Sequence, residues 1–291
     1  MRPPLIGAHM SIAGGIHKAF ERGESVGCRT LQIFLKNSNR WDARPLSAQD
    51  RELFAAARAR TGIDPVVAHD SYLINLASPD RALREKSVRA FMEEMGRANF
   101  LGVPFLVLHP GAHMGTGERE GCARVAEALD RALGEVGGPV VPLLENTAGQ
   151  GSTLGRRFEE LASILERVGA RERVGVCFDT AHAFAAGYDL RTKKDYDAVM
   201  REFDRLIGVG RIRVFHVNDS KKELGSRVDR HADIGKGFLG LEPFRFLLND
   251  RRFPAVPKIL ETPKGPDLAE DRRNLATLQS LCRGEKPLTG P

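Results

Sequence analysis

The feature that most restricts this chain is a rhythm of short apolar runs that end on side chains able to bind a metal. Runs at residues 5–10, 30–35, 65–69, 105–110, 140–146, 174–180, 212–219 and 258–262 are rich in Val, Ile, Leu and Phe. Several are continuously apolar, as strands of a parallel sheet covered on both faces must be. Amphipathic segments such as DRALREKSVRAFMEEMGRANFLG and RFEELASILERVG lie between them, the second with Gly169 placed as a C-cap. Eight strands alternating with helices within 291 residues predict a single (β/α)8 TIM barrel over residues 1–283. An open doubly wound sheet is the structural rival. The closing GEKPLTGP, residues 284–291, reads as a disordered tail.

The ends of six consecutive runs carry His69, His109, Glu145, Asp179, His216 and Glu261, at successive spacings of 40, 36, 34, 37 and 45 residues. Each spacing is about one strand-helix unit. In a barrel the C-terminal ends of all strands open on one face, where active sites sit. One polar residue at a strand end is usually a cap or a hydrogen-bond partner, but six from consecutive strands would converge on one mouth. His182, three residues after Asp179, and the Asp229-x-His231 pair fall in loops on the same face. These nine candidates, five histidines and four carboxylates, exceed the ~4 ligands of a single zinc and imply two or three ions. The mixture of nitrogen and oxygen donors suits Zn²⁺ or Mn²⁺. The four cysteines form no CxxC pair and read as reduced thiols outside any zinc site.

Charge narrows the chemistry. Three divalent ions against four carboxylates leave about +2, so the pocket favours an anion, and adjacent divalent ions suit in-line displacement at phosphorus. The chain carries a net +6, and its cations follow the same strands. Lys36, Arg40 and Arg44 come after the second; Arg191, Lys193 and Lys194 after the sixth; Lys221, Lys222, Arg227, Arg230 and Lys236 after the seventh. A basic rim around a polymetal centre points to a phosphodiester backbone. Tyr72 and Leu73, in HDSYLIN, either wedge between bases or pack beneath their loop. Trp41 reads as a core residue, His9 and His113 as hydrogen-bonding groups, and His17 as a structural residue of the first helix. No GxxxxGK or GxGxxG phosphate loop is present, no run reaches the ~18 apolar residues of a membrane span, and no signal peptide is visible, so a cytoplasmic protein is expected.

At these residues a family resemblance emerges. GAHMSIAGG, HDSYLINLASP, LHPGAH, LLENTAGQGS, GVCFDTAHAFAAGYDLRT, FHVNDSK, GSRVDRHADIGKG and ILETP run in order from about residue 5 to about residue 265. Together they resemble endonuclease IV, the deoxyribonuclease IV family of apurinic/apyrimidinic endonucleases. The resemblance implies a three-zinc barrel that repairs damaged double-stranded DNA. It would cut on the 5′ side of an abasic site, leaving a 3′-hydroxyl and a 5′-deoxyribose phosphate, and remove 3′-blocking groups. By position in the motifs, His69 and His109 would hold one ion, with Glu145 bridging to a second held by Asp179, His216 and Glu261. His182, Asp229 and His231 would hold the third. Glu145 and Glu261 would be the catalytic carboxylates, Glu261 orienting the attacking water. Tyr72, Leu73 and Asn75 match the loop that enters the minor groove, with Lys36, Arg40 and Arg230 as further DNA contacts. This chain departs from the pattern in placing Asn39 and Arg40 before Trp41, and in carrying Lys236 where relatives often have an acidic residue. A monomer is expected, since a continuous duplex must reach the mouth. The rival readings are a metal-dependent sugar isomerase or epimerase on a similar barrel and a non-catalytic damage-binding module.

Overall fold

The computed structural model describes residues 4–282; the expected tail at 284–291 lies outside them. In chain order the strands are β1 (Ile6–His9), β2 (Thr30–Phe34), β3 (Val66–His69), β4 (Phe105–Leu108), β5 (Val141–Glu145), β6 (Gly175–Asp179), β7 (Ile212–His216), β8 (Asp219–Ser220), β9 (His231–Ala232) and β10 (Lys258–Leu260). β1 pairs in parallel with both β2 and β10, which closes the sheet in the order β1-β10-β7-β6-β5-β4-β3-β2 and excludes the open sheet. The helices are α1 (Lys18–Ser25), α2 (Ala48–Thr61), α3 (Arg81–Leu101), α4 (Glu118–Glu135), α5 (Phe158–Arg167), α6 (Thr180–Ala186), α7 (Lys193–Leu206), α8 (Glu242–Leu248) and α9 (Ala269–Ser280).

Local chemistry sets these boundaries. Ser47 and Asp50 form a reciprocal capping box that starts α2, and Gly62 at φ 67° ends it. Asp80 caps α3 and left-handed Gly102 terminates it. The expected C-cap at Gly169 is not formed. α5 leaves through an extended Val168, and the Gly169 N–H instead donates to the Asp130 carboxylate on α4 at 2.9 Å. His17 sits just before α1 rather than within it. β1 and β2 approach so closely at Gly7 that a Cβ there would lie 1.7 Å from the Thr30 carbonyl oxygen. No helix among the described residues is long and apolar enough to cross a membrane.

Two layers inside the barrel place the site. Val67, Val107, Leu143, Cys177, Val214 and Ile259 form a buried apolar cluster within the barrel. Each lies two residues before His69, His109, Glu145, Asp179, His216 or Glu261. Because strand side chains alternate with period 2, both sets face inward, the second one layer nearer the mouth. His109 and Glu261 stand one residue past the paired strands, where the ladder has ended. The seventh apolar run is split: β7 stops at His216, and Asp219–Ser220 pairs antiparallel with His231–Ala232. That small ribbon carries Asp229 and His231 to the mouth.

Candidate metal centre

Glu145 is the hub. Its fully buried carboxylate faces His69 Nε2 at 3.2 Å, His109 Nε2 at 3.2 Å, His182 Nδ1 at 3.2 Å and His216 Nδ1 at 2.9 Å. Glu261 approaches His216 Nδ1 at 3.1 Å. Asp229 reaches His182 Nε2 at 3.2 Å and His231 Nε2 at 3.3 Å. All nine sequence candidates therefore converge. Among the described residues, three groupings of close donor atoms consist of histidines and carboxylates alone: His69, His109 and Glu145; Glu145, Asp179, His216 and Glu261; and Asp179, His182 and His231. Asp179 is shared between the last two, 3.9 Å from His216, His182 and His231. It also begins α6, accepting the His182 backbone N–H at 2.7 Å. The helix-cap reading and the ligand reading of this residue are compatible.

Four of the five imidazoles, those of His69, His182, His216 and His231, are oriented as metal ligands require. One ring nitrogen donates to a protein oxygen, which fixes the tautomer and leaves the other nitrogen for the centre. His69 Nδ1 donates to the Asp70 carbonyl at 2.9 Å, His182 Nδ1 to the Asn146 carbonyl at 3.0 Å, His216 Nε2 to Gln32 Oε1 at 2.8 Å and His231 Nδ1 to the Glu261 carbonyl at 3.3 Å. His231 Nε2 is left buried without a hydrogen-bond partner. A cation between it, Asp229 and Asp179 would satisfy it. The titration behaviour fits the same need for positive charge. Burial alone would raise the Glu145 carboxyl, yet His216 and His109 hold it well below the usual carboxylate range. Burial opposes charge on His69, but the Glu145 carboxylate keeps its pKa up at about 9. Burial likewise opposes charge on His182, which Asp179 and Asp229 nevertheless raise. The cluster of buried carboxylates and imidazoles therefore calls for positive charge at its centre, and the donor set fits divalent ions.

Several contributors escape a strand-end reading. Gln32, wholly buried on β2, donates to Glu261 Oε1 at 2.6 Å and to His9 Nδ1 at 3.0 Å. Asn146 exchanges hydrogen bonds with the Asp179 backbone, and Asn218 donates to Asp179 Oδ2 at 2.7 Å while accepting the Glu261 N–H at 2.7 Å. Their signal was a polar residue inside or just after an apolar run. Cys177 lies in a donor grouping with Glu145 and His216, although the cysteines read as reduced thiols outside any zinc site. Burial pushes its thiol up to about 12, so it stays protonated and is a poor ligand.

Around the mouth, Tyr72 is 61% exposed and Leu73 half-buried. The Asn75 side chain is engaged with backbone, donating to the Ala112 carbonyl at 3.1 Å and accepting the Ala112 N–H at 2.9 Å. Arg40 and Arg230 are exposed. Lys36 is not on the rim: it is 3% exposed, with its ammonium turned inward to the Trp41 carbonyl and Glu94. Burial between the loop and α3 withdraws it from any duplex. Arg44, Arg191 and Lys193 are exposed but paired with Asp50, Asp189 and Asp197. Trp41 is only partly buried against the core, with the Lys86 ammonium 4.4 Å above its ring. His113 accepts the Gly117 N–H, the hydrogen-bonding part expected of it.

The family model of xylose isomerase-like TIM barrels matches residues 20–280. A Chloroflexus aggregans protein named probable endonuclease 4 is 58% identical over 281 residues, 96% of this chain and 98% of that one. The crystal structure of endonuclease IV from Thermus thermophilus aligns with a TM-score of 0.85 at 41% identity, covering 96% of this chain and 98% of that chain. A D-tagatose 3-epimerase-like protein shares the barrel at a TM-score of 0.70 but is 18% identical, over 94% of this chain and 97% of that chain, which speaks to the fold alone. Barrel, mouth and relatives agree: this chain belongs to the xylose isomerase-like TIM-barrel family and, within it, to the endonuclease IV proteins.

Proposed function

We propose that this protein is a metal-dependent DNA repair endonuclease. It hydrolyses the phosphodiester 5′ to abasic sites, leaving a 3′-hydroxyl and a 5′-deoxyribose phosphate, and removes 3′-blocking groups. The observation that carries this reading is the Glu145 hub, four imidazoles around one buried carboxylate, in a chain so closely related to endonuclease 4 proteins. A sugar epimerase is supported only by fold-level likeness.

His69 and His109 with Glu145, then Glu145 with Asp179, His216 and Glu261, then His182, Asp229 and His231 are the three sets we assign to zinc, with manganese as the alternative ion. Bound divalent ions would supply Lewis-acid charge at the scissile phosphate and offset the negative charge that develops there. The chain's residues do the rest. Glu145 joins two of the sets, facing His69 and His109 on one side and His216 on the other. Gln32, Asn146 and Asn218 fix ring and carboxylate orientations, which preorganises the site. Exposed Tyr72 with Leu73 would occupy the stack beside the lesion, while Arg40 and Arg230 hold backbone phosphates. Extruding a nucleotide is least costly at an unpaired abasic position, which favours that lesion. We further propose a cytoplasmic monomer. The test is incision of a duplex carrying one abasic site, with metal content measured on the same preparation. A site-specific cut on the 5′ side with close to three ions per chain is expected; activity on free sugars with none on duplex overturns the reading.

A further inference from the structure

The inward turn of Lys36 has a functional meaning. Lys36 Nζ donates to the Trp41 carbonyl at 2.7 Å and lies 3.6 Å from the Glu94 carboxylate, and both side chains are buried. Glu94, on α3, accepts the Ser71 N–H at 3.3 Å. Ser71 then donates its hydroxyl to the Ser38 carbonyl at 2.6 Å and accepts the Leu73 N–H at 3.3 Å. One buried ion pair thus ties the loop after β2, which carries Arg40, to the loop after β3, which carries Tyr72 and Leu73. The same helix braces both loops again: Ser87 accepts the Asn75 N–H at 3.1 Å, and Arg97 donates to the Leu35 and Arg44 carbonyls at 2.8 and 2.9 Å.

We propose that Lys36 and Glu94 are positioning residues for lesion recognition, locking these two loops into one unit that meets the duplex together. The inference rests on the endonuclease reading above. Both side chains are buried and act through Trp41, Ser38 and Ser71. A buried pair of this kind adds little net stability compared with apolar residues of similar size, whereas removing one member strands the other charge. The informative change therefore removes both.

The experiment compares wild type and K36M/E94M in steady-state incision of a duplex bearing one tetrahydrofuran abasic analogue, with thermal melting and metal content in parallel. Expected for K36M/E94M are unchanged metal content, a melting temperature lowered by a few degrees as the Trp41 carbonyl and Ser71 N–H lose these partners, kcat within about twofold and KM raised about tenfold. A wild-type KM overturns the proposal, and so does a kcat loss that tracks lost metal. Should K36M/E94M not fold, R40A, Y72A and R40A/Y72A in the otherwise native chain decide. If the loops act as one unit, the KM increases fall short of multiplying; strict multiplication shows independent loops. Absence of incision by the wild type would instead refute the endonuclease reading, a separate failure.

Discussion

The two inner layers of the barrel differ by two residues on each strand and by everything in their chemistry. Val67, Val107, Leu143, Cys177, Val214 and Ile259 form an apolar plug. One layer higher, His69, His109, Glu145, Asp179, His216 and Glu261 converge polar atoms at 2.9–3.9 Å. The plug excludes water from below, so charges in the layer above are weakly screened and perturb one another strongly. Position along a strand relative to the end of the ladder thus separates a stabilising residue from a functional one.

Changes in either layer test that division. Glu145→Gln should abolish most turnover, by more than about 100-fold, since even residues that merely orient metal ligands contribute ten- to hundredfold; affinity for abasic duplex should survive. Wild-type turnover by this variant would remove Glu145 from the centre. Two residues below, Leu143→Ala should cost about 2–5 kcal/mol of stability in denaturant unfolding with metal content unchanged. Metal loss without destabilisation would erase the distinction between the layers. Gln32→Ala, which frees His216 and Glu261 from their orienting hydrogen bonds, should lower metal affinity about 10- to 100-fold, as read by chelator competition.

A pH experiment sharpens the comparison further. In metal-free protein His69 titrates at about 9, above the ~6.5 of an unfolded chain. The stability gained by holding that proton is complete below ~6.5 and is lost as pH rises through about 9. Melting temperature of the stripped protein should therefore fall across this window, while metal-loaded protein, whose imidazoles have no such proton to lose, should not follow it. Parallel curves would show that the imidazoles are not exchanging protons for metal. The smallest effect belongs to the rim: Arg230→Ala should reduce the salt dependence of DNA binding by about one unit of slope, uniformly across sequences.

How much was legible in advance varies with the range of the interaction. The six strand-end candidates were readable because each strand is a local object: an apolar run, a period of two, and a polar residue where the run stops. Gln32 carried a local signal, a polar residue inside an apolar run, but its role could not be read because it works through His216 and Glu261, distant in sequence. Lys36 misled because a lysine after a strand usually reaches water, and nothing local announces Glu94, 58 residues later on α3. Gly169 misled in the same way, its N–H captured by Asp130 across a helix pair.

By itself, the chain's order of residues determined eight strands, the barrel they must close into and the nine side chains aimed at its mouth, because strand periodicity and chain connectivity act over a few residues at a time. Which cation faces inward, which ring nitrogen is left for a metal, and that Asp179 lies between two groups of donors were decided only in the folded molecule. Those outcomes depend on partners from separate strands and helices, and only the closed barrel brings them within hydrogen-bonding distance.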